Sequence, residues 1–156
     1  MLRRRLLSKL FCALAICLLQ NQAGAGVSTP FTDQDLANLL ASASRGVIYV
    51  WSPHMPYSVR GAVEARRLID QLELTPILLL DPNADAALAS REREGHVLPV
   101  SAMRRMQATS LWRMGVTQHF PTVVVFADGR LDAQMLPGYT PPADLLAFIR
   151  QRLQSF

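Results

Sequence analysis

The residues with chemistry to offer are few. Cys12 and Cys17 are the only thiols in the 156-residue chain. Both fall in an N-terminal stretch that reads as an export signal, so the mature domain is expected to have none. Thiol–disulfide exchange needs one thiolate to attack and a second thiol to resolve the mixed disulfide. Without them the chain is expected not to be an enzyme of that kind. The next set is His54, His96 and His119 with Met55, Met103, Met106, Met114 and Met135. Imidazole and thioether together suit Cu(I), although Met103 and Met106, at helical spacing, read more simply as core or groove lining. Ser52 and His54 are a poor nucleophile and base: such a pair needs hydrogen-bond reach and usually a third group to orient the base, two residues apart at a turn is poor geometry for it, and no Gly-x-Ser-x-Gly elbow is present. Asp81-Pro82-Asn83-Ala84-Asp85 offers oxygen ligands but lacks the Gly and distal Glu of a calcium loop. It reads as a strand-to-helix turn with a cap. Arg91, Arg93, Arg104 and Arg105, interleaved with Glu92 and Glu94, read as a solvated face. No cofactor is expected.

Residues 1–25 have the three parts of a secretory signal: basic Arg3, Arg4, Arg5 and Lys9, an apolar run from Leu10 to Leu19, and the small-residue site Ala23-Gly24-Ala25. As a helix the apolar run spans about 15 Å, half of the roughly 30 Å that a bilayer core demands, so no stable membrane span is expected after cleavage. The signal carries four of the 16 Lys and Arg residues and none of the 12 Asp and Glu. The mature chain is therefore formally neutral, and it has no net positive field to draw nucleic acid. Localisation in the periplasm follows as an expectation. With 131 mature residues a core can form without disulfide staples.

The elements that must position these residues follow from periodicity. Residues 26–31 read as an N-terminal tail and residues 32–156 as one domain. Thr32 is placed to cap a helix carrying Leu36, Leu39 and Leu40, with Asp33 and Asp35 in its first turn. Gly46 to Trp51 reads as a buried strand. A helix is expected from about Tyr57 to Leu72, with helical spacing in Val59, Ala62, Val63, Leu68, Ile69 and Leu72. Ile77 to Leu80 is a second strand, Ala84 to Arg91 a helix, and Glu92 to Val100 a loop. Ser101 is expected to cap a helix running to Met114 and stopping at Gly115. Thr122 to Phe126 is a third strand, joined through the turn Asp128-Gly129 to Leu131 to Leu136. Pro141 and Pro142 open a last helix with Leu145, Leu146, Ile149 and Leu153 on one face. A βαβ unit followed by a hairpin and a closing helix implies a mixed central sheet with helices on both faces.

In that order the chain resembles the thioredoxin fold. Trp51-Ser52-Pro53-His54-Met55 is similar to the family's W-C-x-x-C turn, with Ser52 and Met55 where the cysteines would stand. Phe120-Pro121-Thr122 resembles the segment bearing the family's cis-proline, here Pro121. Phe126, Asp128-Gly129 and Gly138 resemble its final hairpin. The resemblance covers roughly Leu36 to Leu153.

It implies a groove lined by Trp51, Ser52, Pro53, His54, Met55, Tyr57, Phe120 and Pro121, with the Phe120 backbone offered to an extended peptide. The leading expectation is a protein-binding or assembly factor with an unknown partner in the cell envelope. Two alternatives stand beside it: a copper-binding or copper-delivery protein if His54, Met55 and His119 meet, and a purely structural subunit of an envelope complex. The segments WSPHMP, LLLDPNAD and HFPTVVVF also resemble thioredoxin-like proteins of bacterial integrating conjugative elements, which implies an accessory role in DNA transfer.

Overall fold

The computed structural model describes residues 28–156. The segment expected to be an export signal, with Cys12 and Cys17, lies outside the described residues. In chain order the elements are β1 (Pro30–Phe31), α1 (Asp33–Ser42), β2 (Arg45–Trp51), α2 (Pro56–Gln71), β3 (Thr75–Leu80), α3 (Ala86–Gly95), a 3-10 turn (Val100–Met103), β4 (Arg105–Met106), α4 (Thr109–Arg113), β5 (Thr122–Ala127), β6 (Arg130–Pro137) and α5 (Pro142–Leu153). The six strands form one sheet in the order β1-β4-β3-β2-β5-β6. β2 runs parallel to β3 and antiparallel to β5, and β6 pairs antiparallel with β5.

The central strands are apolar throughout because both of their faces are covered. Val47, Tyr49 and Trp51 of β2, Leu78 and Leu80 of β3, and Val123 and Val125 of β5 point to one face, where α2 and α5 pack through Val59, Ala62, Ala65, Ile69, Leu145 and Ile149. Ile48, Val50, Leu79, Val124 and Phe126 point to the other, where Leu36 of α1 and Leu111 of α4 meet them. Burying one such Val, Leu or Ile side chain contributes roughly 1.5–3 kcal/mol; the α5 anchors Leu145 and Ile149, four residues apart, are joined by the partly buried Leu146, Phe148 and Leu153. The turn Asp128-Gly129 has positive φ at both positions, 50° and 74°, as a two-residue hairpin loop requires.

Three expectations need correction. The N-terminal segment 26–31 is not simply a tail, since Pro30–Phe31 forms a strand parallel to β4. The loop expected from Glu92 is helical as far as Gly95. The long helix expected from Ser101 to Met114 does not form; a 3-10 turn, a short strand and a five-residue helix replace it. The sheet edge claims this backbone instead. Leu80 N–H donates to Arg104 O at 2.8 Å, Arg105 N–H to Thr29 O at 2.9 Å and Gln107 N–H to Phe31 O at 2.9 Å. Met103 and Met106, three residues apart, then enter opposite cores, which no helix face would allow. α4 receives its N-terminal acceptor from α1: the Asp33 carboxylate accepts from Thr109 N–H at 3.0 Å and Ser110 N–H at 2.9 Å.

Candidate functional site

The site is built around the connection from β2 to α2. Trp51 closes β2 with no exposed surface, and its indole N–H donates to Ala102 O at 2.9 Å. Ser52 follows, also buried; its hydroxyl donates to Asp81 Oδ2 at 2.8 Å and its N–H to Ser58 Oγ at 3.0 Å. Pro53 is buried as well, and the chain surfaces only at His54 and Met55. Met55 is the N-cap of α2, with Pro56 at the first helical position and no side-chain cap bond. One turn on, Ser58 is fully buried and donates its N–H to Met55 O at 2.8 Å.

Behind this turn the packing is polar and close. Tyr49 donates its hydroxyl to Ser58 O at 3.1 Å, and burial pushes that phenol's pKa far up. The hydroxyl lies where a side chain on Gly61 would be: a Cβ there would meet Tyr49 Oη at 2.2 Å. Only glycine lets α2 sit this low on the sheet. Tyr139, in the segment after β6, packs against Tyr57 with ring centroids 5.6 Å apart and the planes tilted by 37°, and donates to Glu64 at 2.9 Å. That bond raises the Tyr139 pKa.

Facing the helix N-terminus is the segment that leads into β5. The Phe120–Pro121 peptide bond is cis. Gly138 N–H donates to Pro121 O at 2.7 Å, and the Thr122 hydroxyl donates to His119 O. Among the described residues neither the N–H nor the C=O of Phe120 has a hydrogen-bond partner in another backbone group. A groove of about 390 Å³ opens here, lined by Met55, Thr117, Gln118, His119, Phe120, Pro137 and Gly138. A second hollow of about 550 Å³ touches the same turn through Pro53, Pro56 and Tyr57, and is completed by Arg60, Glu92 and His96.

The structure thus unites Met55, His119 and Phe120 but not the whole expected set. Trp51 and Ser52 are core residues rather than groove lining. Pro53 and Tyr57 line the second hollow, and His54 is in neither. Ser52 does not cap α2. Of the three copper ligands considered, Met55 and His119 share the groove and His54 does not join them. Among the described residues no three His, Cys, Asp or Glu side chains are grouped to hold a metal. The sequence carries no signal for Tyr49 or Tyr139 at this site; for Ser58 the signal is Met55-Pro56-Tyr57-Ser58, which has the spacing of a Cys-x-x-Cys.

No protein-family model and no curated protein matches the chain in sequence. Solved structures do match it in shape. MTB dsbF, in mixed oxidised and reduced forms, has 13% identity and a TM-score of 0.55, over 74% of this chain and 84% of its own. A secreted Mycobacterium tuberculosis disulfide oxidoreductase homologous to E. coli DsbE has 12% identity and a TM-score of 0.51, over 69% and 81%. A putative thioredoxin from Neisseria meningitidis has 14% identity and a TM-score of 0.51, over 75% and 79%. The fold is thioredoxin-like. This finding also corrects the expectation that the chain is not an enzyme. One of these neighbours is a disulfide oxidoreductase and another takes oxidised and reduced forms, and the chain itself carries two cysteines outside the described residues. A non-enzyme assignment has no support.

Proposed function

We propose that this protein binds an extended segment of a partner protein in the groove between Met55 and Phe120. The observation that carries the reading is that Phe120, a residue of the groove wall, has an unpaired backbone. An extended peptide laid along it can pair with the N–H and C=O, as in strand addition, while its side chains meet the groove walls. Met55 offers an adaptable, polarisable contact and Phe120 an aromatic one. On this reading Met55 and Ser58, rather than Ser52 and Met55, occupy the positions of a Cys-x-x-Cys pair. The first thiol of such a pair draws its acidity from a helix N-terminus. Met55 stands at that point, whereas Ser52 is buried at the end of the strand.

The setting we propose is the cell envelope. The N-terminal signal supports it, and one structural neighbour is a secreted protein. The resemblance expected from the WSPHMP, LLLDPNAD and HFPTVVVF segments directs the search for a partner to the DNA-transfer machinery. The test is selection from a displayed library of random decapeptides against residues 26–156. Binders with Kd on the order of micromolar are expected. Met55→Glu, at an exposed position that tolerates charge, should weaken the best synthetic hit by about tenfold, or 1.4 kcal/mol. A library that yields no binder contradicts the reading, as does a hit indifferent to Met55→Glu; a structural role then remains.

A further inference from the structure

Met55 differs from the other methionines of the described residues in two ways. It is 49% exposed, whereas Met103 and Met106 are buried and Met114 and Met135 partly so. It is also the only one of them in the wall of the groove. We propose that Met55 is a site of reversible oxidation, and that its sulfoxide closes the groove to peptide. This rests on the groove reading above and adds a control to it.

The chemistry is a two-electron oxygen transfer from a peroxide. A sulfur lone pair attacks one oxygen of H2O2, the O–O bond breaks and an S–O bond forms. The departing hydroxide takes up the proton left on the transferred oxygen and leaves as water. Sulfur is oxidised and peroxide is reduced, and a sulfoxide reductase reverses the change. The product is a polar, chiral group in place of a flexible apolar one. In the open groove the new S–O dipole is solvated. Under a bound peptide it must lose that water, and burying a polar group without a new partner is unfavourable. Phe120, Pro137 and Gly138 contribute no side-chain donor beside it. Thr117, Gln118 and His119 complete the wall, and a donor from one of them would be drawn away from the peptide.

The experiment uses the decapeptide selected above, in a version without Met or Cys. Residues 26–156 are treated with graded H2O2, and sulfoxide at each methionine is followed by peptide mapping. Affinity is measured in parallel. Met55 should oxidise ahead of the other methionines, and affinity should fall about tenfold in step with the Met55 sulfoxide alone. Treatment with methionine sulfoxide reductase should restore it. In Met55→Leu the ratio of affinities before and after peroxide should stay near one, whatever the starting affinity. Met114→Leu and Met135→Leu should leave the peroxide response in place. Unchanged affinity with Met55 fully oxidised overturns the switch alone, as does an equal response in Met55→Leu. Failure of the untreated protein to bind any library peptide overturns the groove reading, and the switch with it.

Discussion

At the scale of single residues, the site turns on where α2 begins. The helix N-terminus, not the tryptophan that precedes the turn, decides which positions could support a thiolate. The double variant Met55→Cys with Ser58→Cys is therefore expected to form an intramolecular disulfide under mild oxidation, seen as loss of two hydrogens in the intact mass. In its reduced form the thiol introduced at position 55 should titrate below the ordinary value of about 8.5. Ser52→Cys with Met55→Cys should not behave this way, since position 52 is buried and its side chain points to Asp81. A disulfide in the second variant and none in the first would refute the placement. The sequence displayed both spacings, S-P-H-M and M-P-Y-S. It did not show which one the helix would start on, because Pro53 and Pro56 are equally good at a first helical position. Burial of Trp51 by the 3-10 turn, through its bond to Ala102, is a long-range contact with no local signal.

At the scale of elements, two locks hold the site's supports. Gly61 lets α2 approach Tyr49. Gly61→Ala is expected to cost roughly 1–3 kcal/mol from overpacking, read from the urea midpoint. Most of that cost should vanish in a Tyr49→Phe background, because the nearest obstacle is the hydroxyl at 2.2 Å. The second lock is acidic. Backbone and side-chain hydrogen bonds from Ser110 and Thr109 hold Asp33 at a pKa of about 2, and bonds from Thr32 with the Arg104 guanidinium hold Asp35 at about 2. Both folded values lie below the unfolded one, so the unfolded chain binds more protons between about pH 2 and 4. The stability these groups contribute is present above that window and is lost as pH falls through it. Urea midpoints measured from pH 5 to pH 2 should drop, and Asp33→Asn should flatten the decline. The capping role of Thr32 was legible in the sequence and is confirmed, with Asp35 bonding back to Thr32. The reach of Asp33 to α4 was not, since it joins residues more than seventy positions apart. The same holds for the segment 101–114. Its local pattern favours a helix, but hydrogen bonds to β1 and β3 override that preference.

At the scale of the whole molecule, the fold was the most legible feature. Continuously apolar strands, a two-residue hairpin turn and proline-opened helices all pointed to one sheet with helices on both faces. The groove was harder to read because it is assembled from segments far apart in the chain, Met55 from one side and Thr117 to Phe120 and Pro137 from the other. The central claim is that a peptide pairs with the Phe120 backbone, and amide hydrogen exchange resolved at that residue tests it directly. In the free protein the Phe120 N–H should exchange quickly, as an unpaired donor does. With the selected decapeptide bound at saturation it should become protected, while amides around the second hollow at Tyr57 and His96 stay unchanged. Protection at Tyr57 and His96 with Phe120 still exchanging freely would place the peptide elsewhere and contradict the account.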